Sequence, residues 1–318
     1  MTICITGAYG FIGKYLVRRL LAEGNQLRLI SRVPRKPSEQ IEIFNADLVN
    51  PEARLSGLFE QVSVFYHCAG EVNNALMMRP LHVDGTQRLL DEAQKHILQT
   101  GQSLHWVQLS SVGVYGPPVG KVDIPREVGE TSPLHPSGEY ETTKSESDQL
   151  VLQFATQEPR FTCSILRPSI VVASDMPNQS VKSLVNAIRS GKFFYIGTTA
   201  AISTYVHVED VIDALLLIGQ DARAKGHIFN LSNDCCLYEL VEAIHRYDRT
   251  DPHVFTVPVA PLRLLVHLLT PIVNLPLTQE RIDAMINRTR YPNRKIREIL
   301  DYSPARSIPE IIAKLFYE

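Results

Sequence analysis

Several things are missing from this chain of 318 residues, and each absence closes off a class of function. No apolar run is long enough to span a bilayer, which takes about 20 residues. The most apolar stretch, 259–277, is interrupted by Pro261, Arg263, His267, Pro271, Asn274 and Pro276. It predicts two short amphipathic helices capping a pocket, so membrane association is not expected. The N-terminus has no basic region or small-residue cleavage site, and no signal peptide is expected. The cysteines are odd in number (Cys4, Cys68, Cys163, Cys235 and Cys236) and lack both metal-ligand spacing and a disulfide framework. The first three fall in apolar strand-like runs, which predicts buried reduced thiols and a cytoplasmic address. The ten histidines form no H-E-x-x-H or comparable spacing, so no metal is expected. With 32 basic and 34 acidic residues the net charge is −2, and nothing points to a nucleic-acid partner. There is no internal repeat and no low-complexity tract.

The chain does have a glycine turn at its start. The apolar run Thr2-Ile3-Cys4-Ile5 leads into Thr6-Gly7-Ala8-Tyr9-Gly10-Phe11-Ile12-Gly13, with glycines spaced G-x-x-G-x-x-G. Gly7 lets the chain turn sharply, Gly10 lets the backbone approach a pyrophosphate, and Gly13 lets the following helix lie close on its strand. The free N–H groups of that helix start suit phosphates. Gly7, Tyr9, Gly10, Phe11, Ile12 and Gly13 are therefore candidate cofactor contacts.

Further strands are predicted at 26–30, 41–45, 62–68, 104–110 and 161–166, with helices between them at 51–61, 80–99 and 138–156. The loop between strand four and the helix at 80 holds Leu76, Met77 and Met78. Such alternation predicts an α/β fold, a Rossmann-type doubly wound parallel sheet whose ligand lies at the carboxyl ends of the strands. A length prior of about 100–200 residues per domain suggests two lobes. The expected division is residues 1–170 as the NAD(P)-binding lobe, with 204–232 returning to it, and 171–318 as a smaller, mainly substrate-binding C-terminal lobe.

Three residues form a candidate catalytic group. Tyr140 and Lys144 stand one helical turn apart on one face, with a rise of roughly 6 Å between them. Ser111 follows the fifth strand, at the sheet edge where ligands bind. A phenol titrates near about 10, and an adjacent ammonium is expected to lower that value and make Tyr140 a usable acid/base. Ser111 would hydrogen-bond the substrate oxygen beside it.

These residues, in this order, resemble the extended short-chain dehydrogenases/reductases, the NAD-dependent epimerase/dehydratase family. The resemblance rests on T-G-x-x-G-x-x-G at 6–13, Ala46-Asp47-Leu48, His67-Cys68-Ala69-Gly70, Val83-Asp84-Gly85-Thr86, Ser110-Ser111-Val112-Gly113-Val114-Tyr115-Gly116, Tyr140 with Lys144, Leu166-Arg167-Pro168, and the stretches at 205–211 and 293–304. It implies Ser111, Tyr140 and Lys144 as the catalytic triad, with Lys144 also on the nicotinamide ribose. It further implies Asp47 and Leu48 at the adenine, Ala69 and Gly70 along the cofactor, Pro168 near the nicotinamide, and His207 and Asp210 as structural braces. A homodimer formed by the helices at 80–99 and 138–156 is also implied. The chain departs from the family in carrying His82 where an asparagine is common. Ser203-Thr204 stands where nucleotide-sugar epimerases usually carry a pyrophosphate-binding arginine. The segments 192–197 and 275–278 look more like the hydroxysteroid-dehydrogenase-like and reductase branches.

Cofactor choice is readable after strand two. An acid there selects NAD, whereas arginine accommodates a 2′-phosphate. The chain offers Ser31 and Arg32, then Arg35 and Lys36, with no acid before Glu39, which favours NADP(H) over NAD(H). The expected function is NAD(P)-dependent hydride transfer between nicotinamide and a carbonyl or hydroxyl carbon of a small-molecule substrate. A nucleotide-sugar epimerase or dehydratase is the alternative. A non-catalytic NADP(H)-binding regulator needs the glycine turn but no proton donor, and ranks third.

Overall fold

A computed structural model describes residues 2–118, 120–251, 254–269 and 277–316. Strand β1 (Thr2–Thr6) runs into the glycine turn and helix α1 (Phe11–Ala22). Then come β2 (Gln26–Ser31), β3 (Ile41–Asn45), β4 (Val62–His67), α2 (Ala75–Arg79), α3 (Gly85–Thr100), β5 (Leu104–Leu109), α4 (Glu139–Gln157) and β6 (Phe161–Pro168). After α5 (Gln179–Arg189) and α6 (Val208–Gln220), β7 (Ile228–Leu231) completes a seven-stranded sheet in the order β7-β6-β5-β4-β1-β2-β3, parallel throughout. The order reverses between β1 and β4, where doubly wound folds open a crevice at the strands' carboxyl ends.

Both faces of the sheet are covered, which is why its strands read as near-continuous apolar runs. On one face Leu16 and Leu20 of α1 and Val211, Ile212 and Leu215 of α6 pack against Ile5, Leu29 and Val107. On the other, Leu89, Ala93 and Ile97 of α3 and Val151 and Phe154 of α4 meet Phe65, Trp106 and Phe161. A separate cluster joins α5, α7 (Leu237–Asp248) and α11 (Ile308–Leu315). Between these two helices lie α8 (Val259–Leu269), α9 (Gln279–Ile286) and α10 (Arg294–Leu300).

Three expectations need correction. Residues 51–61 form successive turns instead of a helix, because Gly57 (φ 83°) and Gln61 (φ 60°) adopt left-handed conformations that break helical hydrogen bonding. Leu76, Met77 and Met78 are helical rather than loop residues: Asn74 caps α2 by accepting from Leu76 N–H. The chain passes from α2 to α3 through a π-helical turn at Pro80–Asp84, which absorbs a proline that lacks an N–H to donate. Within 259–277, the described residues hold one helix, α8; residues 270–276, including Leu275 and Pro276, lie outside the described residues. Among the described residues no helix is long and apolar enough to cross a membrane.

Candidate active site

The glycine turn is built by close approach. Gly7 has φ 64°, and a Cβ there would lie 2.5 Å from the Cys68 carbonyl oxygen. A Cβ on Gly13 would collide with the Gly7 carbonyl, whereas one on Gly10 would meet only Gly7 O, at 3.1 Å. Gly7 and Gly13 thus seat α1 against the sheet, and Gly10 leaves its outer side open. Gly10 also caps α1 without a side chain, so the first N–H groups of the helix keep no side-chain acceptor. These features fit a dinucleotide pyrophosphate. Phe11 and Ile12 spend their side chains on packing.

The other predicted cofactor contacts gather around the same strand ends. Tyr9 is 42 % exposed, and the Arg35 guanidinium lies 3.6 Å from its ring centroid. Arg32 is exposed nearby in sequence, while Ser31 turns inward and donates its hydroxyl to Val33 O at 2.7 Å. Asp47 accepts from Val49 N–H, and Leu48 is buried against α3, its carbonyl 3.1 Å from where a Gly85 Cβ would sit. Ala69 N–H donates to Thr6 Oγ1, Gly70 lies beside His82, and Pro168 pairs with Leu231 at the end of β6.

Ser111, Tyr140 and Lys144 come together at the carboxyl end of β5. Ser111 Oγ accepts from Gly113 N–H at 3.0 Å and is hydrogen-bonded to the Tyr140 phenol. Lys144 is buried and donates from Nζ to Leu109 O at 2.5 Å. Burial pushes the phenol up to about 12, with the Ser111 hydrogen bond pulling against it. Burial is the larger influence on the phenol, and the Lys144 ammonium is held on the β5 carbonyl. Burial also lowers the Lys144 pKa, and Asp148 one turn on opposes that shift.

Two partners of this group escaped the sequence reading. The first is the Asp148–Arg167 pair beneath it. Asp148 Oδ2 accepts from Ser110 Oγ at 2.7 Å and from Arg167 Nε and Nη2 at 3.1 and 3.0 Å. Arg167 Nη1 donates to Tyr115 Oη, which donates on to Asn230. The only sequence sign was Arg167 inside the Leu-Arg-Pro motif. The second is His82, noticed as a departure without a role. Thr143 donates its hydroxyl to Glu139 O, so it accepts from His82 Nδ1–H at 2.8 Å, and His82 Nε2 accepts from Glu71 N–H at 2.8 Å. The ring is therefore the neutral Nδ1–H tautomer. It meets the Tyr140 ring edge to face at 5.8 Å, so the π-helical turn positions the tyrosine.

These buried rings make the fold acid-sensitive. Desolvation lowers His82 to about 3 and His67 well below its ordinary value. Both stay neutral in the fold while the unfolded chain takes up protons below about 6.5. Stability is therefore full above that pH and falls as pH drops, by about 1.4 kcal/mol per pH unit for each histidine. For His82 the loss continues down to about pH 3. Urea midpoints between pH 7 and 4 should follow this slope, and a His82→Asn variant should make it shallower, His67 still contributing.

Known proteins resemble this chain in sequence and in fold. The family model described as the NAD dependent epimerase/dehydratase family matches residues 3–232. The human sterol-4-alpha-carboxylate 3-dehydrogenase, decarboxylating, is 26% identical over 243 residues, 72% of this chain and 61% of that protein. A 4-hydroxy-2-methyl-3-oxo-4-farnesyl-3,4-dihydroquinoline-1-oxide ketoreductase from Stigmatella aurantiaca is 26% identical over 230 residues, 69% of this chain and 65% of that protein. The match thus spans less than two thirds of the length of either relative. Among solved structures, the UDP-glucose 4-epimerase of Thermotoga maritima superposes with a TM-score of 0.71 over 99% of this chain and 98% of its own, at 18% identity.

Proposed function

The chain belongs to the NAD dependent epimerase/dehydratase family, and on that premise we propose that it is an NADP(H)-dependent reductase of small carbonyl compounds. The observation that carries this reading is the Tyr140 phenol, hydrogen-bonded to Ser111 and held at about 12. Such a group is protonated throughout the neutral range, which suits a proton donor to a carbonyl better than a base toward an alcohol. Bound nicotinamide supplies the hydride. Ser111 and Tyr140 hold the carbonyl oxygen, and Tyr140 Oη gives it a proton as charge develops there. The Ser111 hydrogen bond lowers the phenol's pKa and so favours the phenolate left behind.

The glycine turn, Asp47, Leu48, Ala69, Gly70, Lys144 and Pro168 would hold the cofactor. Arg32 and Arg35 would pair with a 2′-phosphate, and the stacking of Arg35 on Tyr9 preorganises that pair. An Arg32→Ala/Arg35→Ala double variant should therefore bind NADPH at least about tenfold more weakly, since a charged hydrogen bond contributes roughly 1.5–3 kcal/mol. NADH affinity should be unchanged, and fluorescence titration of both nucleotides checks it.

The same reading takes 1–170 with 204–232 as the cofactor lobe and 171–318 as mainly the substrate lobe. It also takes the protein as a cytoplasmic homodimer pairing through α3 and α4. Leu98, 70 % exposed on α3, supplies apolar surface for that contact. The test is turnover of NADPH with a panel of ketones and with UDP-glucose. Net NADPH oxidation with ketones, abolished in Tyr140→Phe, supports the reductase. Epimerised UDP-sugar with no net redox change overturns it in favour of an epimerase, and function that survives Tyr140→Phe points to a regulator.

A further inference from the structure

Beside Ser111 and Tyr140 lies a cleft of about 480 Å³, a size that suits a small organic molecule. Part of its wall runs straight into the reacting groups. Gly116 and Pro117 follow the turn that begins at Ser111, and Ser137 shortly precedes Tyr140. These two segments are in close contact: a Cβ on Gly116 would fall 1.8 Å from the His135 carbonyl oxygen. The facing wall comes from α9 and the residues after it, through Ala284, Asn287 and Tyr291.

Among the described residues that line the cleft there is no lysine, arginine or histidine. Its charged lining is two carboxylates of α9. Asp283 is paired with Arg263, and Glu280 is exposed in the first turn of the helix and hydrogen-bonded to Thr278. A carboxylate or diphosphate entering here would lose water and meet no cation in return. A ligand ammonium would gain little from an exposed carboxylate. An uncharged ligand meets neither difficulty, and Pro117, Pro118, Val122, Ala284 and the Tyr291 ring give it apolar surface.

Two neutral donors stand on the α9 side. Asn287 Oδ1 accepts from Thr289 N–H at 2.9 Å, which leaves its Nδ2 hydrogens free to donate. The Tyr291 backbone N–H goes to Asp234 at 2.7 Å, while its hydroxyl has no partner among the described residues. Burial pushes that phenol up to about 12, so it donates as a neutral group. A pocket with mostly apolar walls and a few polar groups fixes a ligand's orientation through those groups.

We infer that the cleft takes an uncharged, ring-bearing ketone with a second oxygen, a hydroxyl or carbonyl remote from the reacting carbon, that accepts hydrogen bonds from Asn287 and Tyr291. The ketone half of this statement rests on the reductase reading; the preference for an uncharged, oxygen-bearing ring does not.

The test is calorimetric titration of NADP⁺-loaded protein with tetralone, with its hydroxy, carboxy and aminomethyl derivatives, and with UDP. Hydroxytetralone should bind about two- to tenfold more tightly than tetralone, the share of a neutral hydrogen bond. Carboxytetralone and UDP should bind at least about tenfold more weakly than hydroxytetralone. Tyr291→Phe and Asn287→Leu should each shrink the advantage of the hydroxyl. The phenylalanine variant removes only a hydroxyl without a partner, so it gives the answer even if the leucine variant misfolds. The inference is overturned if no ketone binds, if the hydroxyl adds nothing, if neither variant reduces its advantage, or if a charged compound binds as tightly as hydroxytetralone. NADPH oxidation followed in parallel separates the two claims. The expected order of binding without turnover of any ketone sinks the reductase reading and leaves the ligand class. Equal binding and turnover of charged and uncharged ketones does the reverse.

Discussion

Replacing Tyr140 with Phe is expected to lower kcat for carbonyl reduction by about 10²–10⁴-fold, the usual contribution of a positioned proton donor. The change deletes one oxygen whose hydrogen-bond partner is Ser111, and the His82 ring still meets the ring that remains. Stability and NADPH affinity should therefore stay close to wild type while turnover collapses. The pH profile supplies the sign. Reduction needs the protonated phenol, so the rate should be flat through neutrality and decline only as pH approaches about 12. Oxidation of the product alcohol needs the phenolate and should rise with pH over the same range. A reductive rate that falls between pH 6 and 8 would assign the proton to another group.

The second large effect is on stability. Asp148→Ala leaves the Arg167 guanidinium, 2 % exposed, without its carboxylate. Removing one partner of a buried pair typically costs about 3–5 kcal/mol, against roughly 5–15 kcal/mol for a whole domain. The urea midpoint should fall accordingly. Removing both charges, as Asp148→Leu with Arg167→Met, should restore much of the loss, because the stranded charge is the main source of the cost. Activity need not return with it, since Asp148 also supports the charge on Lys144. A midpoint unchanged in the single variant would mean that water or a neighbour takes over the guanidinium.

How much of this the sequence disclosed depended on how far each contact reaches along the chain. The parallel sheet was legible because each strand is an apolar run closed by a turn, and β3 fell at 41–45 as expected. The helix expected at 51–61 failed on local grounds. Leu55, Leu58 and Phe59 are buried as a helix pattern implies, but Gly57 permits a left-handed turn that periodicity does not register. Pro80 looked like the start of a helix and lies inside one, since a π-helical turn is an alternative to termination that composition does not distinguish. At the site, Ser111, Tyr140 and Lys144 were readable from spacing on one helix and one strand end. Asp148 and Arg167 were not paired in advance, because that contact joins a helix to the next strand and only packing brings them together. The engagement of Lys144 by Leu109 O was not readable for a related reason: proximity to Tyr140 is a matter of spacing, but that contact depends on how α4 lies over β5.

A reductase of this kind takes up and releases NADP(H) in each turnover. It is tested most directly by denaturing freshly purified protein, identifying any released nucleotide by mass, and titrating the emptied protein with NADPH and NADH. The expected result is little or no retained nucleotide and tighter binding of NADPH. Stoichiometric NAD(H) carried through purification would contradict it, because a cofactor kept within each turnover belongs to an epimerase or dehydratase and leaves Arg32 and Arg35 without a phosphate to bind.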